Sequence, residues 1–112
     1  MSVSVAKTLD YIKDKAYITQ SEVADLLRSR PETVSRWVQG HQKPHAKTEQ
    51  MLRELEYIVD ELADFYEPND ARRWIFARQK HLRGVSPAQL IREGHIDEVI
   101  YLINQLRDGV YF

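Results

Sequence analysis

Apolar residues recur at spacings of three and four along most of the chain, and this pattern predicts amphipathic helices. A first helix is indicated by Val5, Leu9, Ile12 and Ala16. A second is indicated by Val23, Ala24 and Leu27. No segment alternates apolar and polar residues for long enough to predict a strand, although the closing residues 109–112 could form a short extended tail. We therefore predict an all-α protein.

The longest predicted helix covers residues 48–66, and its apolar face is broader than a single packing seam. The face comprises Met51, Leu52, Leu55, Ile58, Val59, Leu62, Phe65 and Tyr66. A face this wide could serve the internal core together with a partner or dimer contact, or the core alone. Residues 67–70 end this helix, and Asn69 or Asp70 is expected to cap the next one, which carries Trp74. A last helix is predicted over residues 95–108, with an apolar side of Ile96, Val99, Ile100, Ile103 and Leu106.

Three capping boxes mark helix starts, at residues 19–22, 29–32 and 86–89. In each, a side-chain oxygen can accept from an unpaired backbone amide, and a Glu or Gln three positions later can reach back. In the second box, Pro31 at the first helical position would instead make Arg30 the cap. In the third, a proline directly follows the capping serine.

Charge is arranged in blocks although the net charge is only −1. Residues 28–47 carry five basic side chains and one acid, residues 49–70 carry eight acids and one arginine, and residues 72–83 carry five basic side chains and no acid. Separate blocks of opposite sign suggest separate partner surfaces.

Composition excludes several classes of protein. There is no cysteine, which excludes a disulfide scaffold, a thiolate metal site and a cysteine nucleophile, and is compatible with a reducing cytoplasm. The N-terminal residues contain no continuous apolar stretch typical of a signal peptide, and no apolar run approaches the ~20 residues that span a bilayer. We expect a cytoplasmic protein that does not associate with membranes.

Metal binding and catalysis are not predicted. His41 and His45 have the spacing of a helical metal pair, but Pro44 lies between them and no carboxylate ligand is placed nearby. No glycine-rich phosphate loop, catalytic carboxylate pair or Ser/His/Asp set stands out. We therefore expect neither an enzyme nor a bound cofactor.

Residues 18–44 have the pattern of a helix-turn-helix. A capped helix over residues 20–27 is followed by a tight turn at residues 28–30 and a second helix over residues 31–38 that ends at Gly40. Apolar side chains fall where the two crossed helices would touch, and small Ala24 sits where close approach is needed. The series TQ-x-E-V-A-x-L-L, T-V-S-R-W and G-x-x-x-P resembles the Xre/Cro-type repressors.

This resemblance implies that the second helix lies in the major groove of DNA, with Arg36 able to contact a guanine through two of its guanidinium nitrogens. The expected DNA-binding residues are Gln20, Arg30, Thr33, Ser35, Arg36, Lys43 and Lys47. Gln20 would hold a phosphate at a helix N-terminus, and the two lysines would add attraction that is independent of base sequence. Trp37 is assigned to the core. Alternatively, the motif is a scaffold that has lost DNA binding, because Glu32 would repel phosphate.

A second motif occupies residues 74–112. A tryptophan is followed by L-x-G-x-S-P-x-x-L-I-x-x-G, then by an apolar helix and a terminal glycine with a short hydrophobic tail. This order resembles the toxin-binding domain of the Xre/MbcA/ParS antitoxins, and the whole chain has the layout of the compact MbcA-type members. Residues 78 and 79 depart from the Pro/Asn-like turn of many relatives. The motif residues are Trp74, Leu82, Gly84, Ser86, Pro87, Leu90 and Gly94. Ser86 is assigned to helix capping.

The resemblance implies a function. These antitoxins neutralise a toxin with a RES domain, which cleaves or phosphorolyses NAD or uses it to ADP-ribosylate a target. The antitoxin covers the entrance to the NAD pocket, and the antitoxin or its complex represses its own operon. The implied organisation is a DNA-binding subdomain at residues 1–47, a connecting or dimerising helix at 48–69 and a toxin-binding domain at 70–112.

The expected toxin-binding residues are the basic segment and the C-terminal end, namely Arg72, Arg73, Arg78, Arg83, Gly109, Val110, Tyr111 and Phe112. An aromatic end with a free carboxylate could fill a pocket that is built for a ring and a phosphate. The alternative is that Val110 and Tyr111 fold back onto the core. The alternative for the whole chain is a stand-alone repressor whose C-terminal helices only dimerise, and a homo-oligomer or a hetero-oligomer with the toxin is expected.

Overall fold

The computed structural model describes residues 4–109, which form seven α-helices and one 3-10 turn. The helices are α1 (Val5–Ala16), α2 (Gln20–Leu26), α3 (Pro31–Gln39), α4 (Ala46–Ala63), α5 (Pro68–Phe76), α6 (Pro87–Arg92) and α7 (Ile96–Arg107), and the 3-10 turn is Lys80–Leu82 between α5 and α6. The extended pairing within residues 4–109 is a single antiparallel bridge between Gln79 and Val85. The prediction of an all-α protein is confirmed.

Helix α4 is the centre of the fold, because α1, α5 and α7 all pack against it. Its inward face is fully buried, with Leu52, Leu55, Ile58 and Val59 at 0% exposure. Truncating one such leucine to alanine typically costs about 2–5 kcal/mol, since the lost transfer energy and the new cavity add. Within the described chain, the wide apolar face of α4 is thus used by the internal core.

One continuous hydrophobic cluster runs from Leu9 in α1 to Ile103 in α7. Helix α2 packs against α3 and also against α6, so the N-terminal motif rests directly on the C-terminal helices. The three predicted segments are therefore joined by a shared core, so a shift of packed side chains in one segment is transmitted to the others.

Two expected helix ends are wrong. Helix α4 stops at Ala63, so Phe65 and Tyr66 lie in the following turn and are 49% and 39% exposed instead of lining the apolar face. Helix α5 begins at Pro68 with Glu67 at the cap position, not with Asn69 or Asp70. A proline suits the first helical position because its missing N–H would have no partner there.

The capping predictions are largely confirmed. Thr19 and Glu22 make both bonds of a capping box. Ser86 accepts from the Gln89 amide, whereas the Gln89 side chain donates to Glu93 instead of reaching back. Helix α3 has Arg30 at the cap position and Pro31 at the first helical position, which was the alternative to a cap by the preceding serine. No helix within residues 4–109 is both long and apolar enough to cross a membrane.

Candidate DNA-binding and protein-binding surfaces

The turn between α2 and α3 is built by the backbone. Arg28 takes a left-handed φ of 56°, and the Ser29 amide donates to the Ala24 carbonyl at 2.8 Å. These contacts satisfy the carbonyls at the end of α2 and reverse the chain toward α3. Val23, Ala24 and Val34 are at most 1% exposed where the two helices meet. The predicted helix-turn-helix is present in the structure.

Helix α3 presents a polar outer face. Arg30, Glu32 and Arg36 are exposed, whereas Thr33 and Ser35 are half-buried. Trp37 is 7% exposed and lies in the core as predicted. Gly40 ends the helix with a φ of 78°, a left-handed conformation that favours glycine.

The predicted DNA-contacting cations have no acidic partners within the described chain. No ion pair there involves Arg30, Arg36, Lys43 or Lys47, and all four are exposed. Gln20 is also exposed, at the first position of α2. Unpaired cations around one exposed helix make a surface that suits a polyanion.

The second motif builds a compact turn between α5 and α6. The Gln79 side chain donates to the Trp74 carbonyl at 2.8 Å, and the Gln79 backbone N–H donates to the Val85 carbonyl at 3.1 Å. Leu82 and Leu90 are 4% exposed, and Pro87 is buried with them. Gln79 is thus the residue that closes this turn.

Both motif glycines have left-handed backbones. Gly84 has a φ of 79° and Gly94 has a φ of 85°. A Cβ at Gly94 would lie 3.6 Å from an Arg28 guanidinium nitrogen, which is ordinary contact, so the requirement for glycine is conformational. The two glycines bracket α6, as the sequence predicts.

Arg72 has a role that the sequence does not reveal. Its two terminal nitrogens donate to the two Glu22 carboxylate oxygens at 2.7 and 2.6 Å, and one of them also donates to the Tyr17 carbonyl at 2.7 Å. Its guanidinium lies 4.7 Å from the centre of the Phe76 ring. These hydrogen bonds, together with that from the Thr19 amide, hold the pKa of Glu22 at about 2, against an opposing effect of burial. Arg72 thus ties α2 to α5 within this chain, and its predicted contact with a toxin stays a prediction.

The other residues of the basic segment are at the surface. Arg73 pairs with Asp70 at 3.0 Å, and Arg83 pairs with Glu98 at 3.1 Å, with both arginine side chains more than 70% exposed. Arg78 is exposed and takes part in no ion pair among residues 4–109. Arg73 and Arg78 line a groove of about 320 Å³ together with Tyr66, Asp70, Trp74, Ala77 and Gln79. The structure therefore brings two of the predicted toxin-binding arginines to one concave surface.

The C-terminal end of α7 is fixed by α4. Arg107 pairs with Glu61, which is 5% exposed, and Gly109 follows with a φ of 78°. Val110, Tyr111 and Phe112 lie outside the described residues, so their predicted toxin contact stays a prediction.

Sequence reasoning missed three acids that organise the surface, namely Glu22, Asp25 and Glu61. Asp25 accepts from Arg92 at 2.6 Å, which adds a second link between α2 and the C-terminal helices. Glu22 had a signal in its capping position, but Asp25 and Glu61 had none, because each partner lies more than 40 residues away along the chain. No group of three or more metal-ligating side chains is gathered within residues 4–109.

Comparison with known proteins identifies the second motif. Residues 55–109 match the Xre/MbcA/ParS antitoxin C-terminal toxin-binding domain. The chain is 33% identical to the mycobacterial cidal antitoxin MbcA of Mycobacterium tuberculosis and of Mycobacterium bovis, over 99% of this chain and 99% of each relative. It also superimposes on a chain of the crystal structure of the M. tuberculosis MbcT–MbcA toxin–antitoxin complex, with a TM-score of 0.79, 31% identity, and coverage of 99% of this chain and 100% of that chain. This chain therefore belongs to the Xre/MbcA/ParS family of antitoxins.

Proposed function

We propose that this protein binds and neutralises a RES-domain toxin by covering the toxin's NAD site, and that it represses its own operon through α3. The observation that carries the first part is likeness over the full chain to an antitoxin whose solved structure is a complex with its toxin. The protein acts in this proposal as a binding partner rather than as an enzyme.

The C-terminal surface supports toxin binding because the contacts that shape it all lie within this chain. Helix α6 is capped at Ser86 and bracketed by two glycines in the conformation they favour, and the turn before it is closed by Gln79. A surface that is ordered beforehand loses little conformational entropy on binding. Its exposed arginines, Arg73, Arg78 and Arg83, would meet acidic side chains at the rim of the toxin's cleft.

The residues after Gly109 are the part that would enter the NAD site. Val110, Tyr111 and Phe112 combine an aliphatic group and two aromatic rings. A ring can occupy space built for a nicotinamide or an adenine.

The outer face of α3 supports DNA binding. Arg36 is exposed near the end of the helix, and Arg30 is exposed at its start. Lys43 and Lys47 extend the positive surface beyond the helix toward the DNA backbone. Glu32 lies on the same face and would repel DNA phosphates, so we assign it to specificity rather than to affinity. Two copies would be needed for useful affinity, because one helix-turn-helix makes few contacts.

Co-expression tests the antitoxin role and separates it from the rival role of a stand-alone repressor. Where the adjacent reading frame encodes a RES-type chain, cells that express that chain should regain growth when this protein is co-expressed, and the two proteins should co-purify. A stand-alone repressor would bind operator DNA but would neither rescue growth nor co-purify. Rescue that survives deletion of residues 110–112 would remove the tail from the mechanism and leave the antitoxin role standing.

A further inference from the structure

The side of α4 that faces away from the core carries a straight stripe of surface residues. Its members recur at alternating spacings of four and three residues, which places them on one line along the helix, as in the seam of a coiled coil. All of them are exposed or half-buried, and the last one lies at the C-cap of the helix. We call these residues the α4 stripe, and they are Ala46, Gln50, Arg53, Tyr57, Asp60 and Asp64.

The α4 stripe is complementary to itself when its direction is reversed. Arg53 lies four residues before Tyr57, and Asp60 lies three residues after it. If α4 of a second copy packs antiparallel with the two Tyr57 side chains opposite each other, Arg53 of each copy faces Asp60 of the other. Gln50 and Asp64, each seven residues from the centre, face each other in the same way. An interface with two-fold symmetry requires such a surface, because both copies contribute the same residues.

Aromatic side chains are exposed on the same face of the protein. Tyr57 is 38% exposed, and its hydroxyl donates to Asn104 Oδ1 of α7 at 2.7 Å. Tyr101 lies one turn earlier on α7 and is 66% exposed, the highest value among the large hydrophobic side chains that the structure describes. Tyrosine is enriched in protein interfaces, because its ring buries a large area and has few rotatable bonds to order.

The two charged residues beside Tyr57 are held by contacts within the chain. Arg53 donates to the Thr8 hydroxyl of α1, and the Tyr11 hydroxyl donates to Asp60 Oδ1. A groove of about 360 Å³ between α1 and α4 is lined by Tyr11, Arg53, Glu56, Tyr57 and Asp60. Because these side chains are already oriented, they lose little conformational entropy when a partner covers them.

The charges of this face favour a second copy of the chain over DNA as its partner. Asp60 and Asp64, together with neighbouring Glu56, would repel phosphates. The α4 stripe shares no residue with the predicted DNA-binding set, and α3 packs on α1 and α2. A dimer formed through α4 therefore uses none of the predicted DNA contacts, and it supplies the two copies that a helix-turn-helix needs.

We infer that the α4 stripe is a homodimer interface, in which the two α4 helices pack antiparallel about Tyr57 and Arg53 of each copy pairs with Asp60 of the other. Association of this kind depends on neither the toxin nor operator DNA. Its test therefore stands apart from the test of the proposed function.

Sedimentation equilibrium of the purified full chain, over a range of concentrations and without toxin or DNA, measures the dissociation constant of the dimer. Arg53→Asp and Asp60→Arg are made separately and together. Each single change places like charges opposite each other twice in the dimer, whereas the double variant restores opposite charges with their signs exchanged. Glu93→Arg is the matched control, because it reverses an exposed charge at the end of α6, which packs on α2, α5 and α7.

We expect a dimer whose dissociation constant rises at least about tenfold in each single variant, since like charges that meet in an interface strongly oppose association. The double variant should return to within about threefold of the wild-type value, because the pairwise interaction is restored. Tyr57→Ala should weaken the dimer by about tenfold or more, and Tyr57→Phe, which keeps the ring, should leave it close to wild type. Glu93→Arg should change nothing. Unfolding midpoints are recorded for all forms, and the Tyr57 pair keeps the test decisive if Arg53→Asp folds poorly.

Four results would overturn the inference. A chain that is monomeric at every concentration would reject the homodimer. A dimer that withstands both single charge reversals would lie on another surface. Weakening that the double variant does not restore would show that Arg53 and Asp60 act only through their contacts with Thr8 and Tyr11. Variants that abolish co-purification with the toxin while leaving the dissociation constant unchanged would show that the toxin, and not a second copy, covers this face.

Discussion

Replacing Arg72 by methionine should destabilise the protein and should do so in a pH-dependent way. The substitution keeps an unbranched side chain against Phe76 but removes the two bonds to Glu22. The pKa of Glu22 is lowered from 4.5 to about 2, which at 1.36 kcal/mol per unit would correspond to ~3 kcal/mol. Because the Arg72 and Glu22 side chains are 37% and 29% exposed, water screens the pair, and we expect about 1–2 kcal/mol at pH 7.

The sign of the pH dependence follows from the lowered pKa. A carboxyl with a lower pKa in the folded than in the unfolded state stabilises the fold fully above its unfolded value, and this contribution is lost as the pH falls through the folded value. The stability difference between the wild-type protein and Arg72→Met should therefore be constant above about pH 5.5 and should shrink as the pH falls from 4.5 toward 2.

Urea unfolding at a series of pH values measures this difference, and thermal unfolding should show a midpoint lowered by about 4–8 °C per kcal/mol. Arg73→Met is the matched control, because its pair with Asp70 is 75% and 50% exposed and should contribute less than about 0.5 kcal/mol. Glu22→Gln separates the two roles of Glu22, since the amide oxygen can still accept from Thr19 in the capping box. Equal losses for Arg72→Met and Arg73→Met, or a loss that does not change between pH 6 and pH 2.5, would refute the reasoning.

Three further substitutions test other parts of the account. Arg36→Ala should weaken operator binding by about 1–3 kcal/mol without changing toxin inhibition, and an unchanged footprint would mean that the helix-turn-helix is a scaffold. Gly94→Ala should lower the free energy of unfolding by about 1–2 kcal/mol, because a residue with a Cβ is strained at a φ of 85°. Urea unfolding measures this change, and an unchanged free energy would contradict the conformational role of Gly94. Ser86→Ala should cost about 1 kcal/mol through the lost cap on α6, with Ser86→Thr nearly neutral by the same assay.

Much of this fold can be predicted from local rules. The capping residues at 19 and 86 and the glycines at 40, 84 and 94 act within one helical turn, so their identity in the sequence is enough to place the helix ends. The burial of Trp37 likewise follows from its position on the inner face of a predicted helix.

The contacts that organise the surfaces could not be predicted in this way. Arg72 and Glu22 are 50 residues apart in the sequence, and Arg92 and Asp25 are 67 apart, so no periodicity or spacing connects them. The five basic residues between positions 72 and 83 suggest one positive face, yet Arg72 pairs with Glu22 on α2 and stays partly exposed. The end of α4 could also not be placed from the sequence, because the apolar spacing continues through Phe65 and Tyr66 although the helix stops at Ala63.

The central claim is that this protein blocks the NAD site of a toxin, and steady-state kinetics of the toxin at increasing concentrations of this protein tests it most directly. Blocking of the site predicts that the apparent KM for NAD rises with each addition while kcat stays constant, and that removal of residues 110–112 reduces this rise. Inhibition that lowers kcat and leaves KM unchanged would contradict blocking of the site, and a toxin that consumes NAD at full speed in saturating amounts of this protein would contradict the account as a whole.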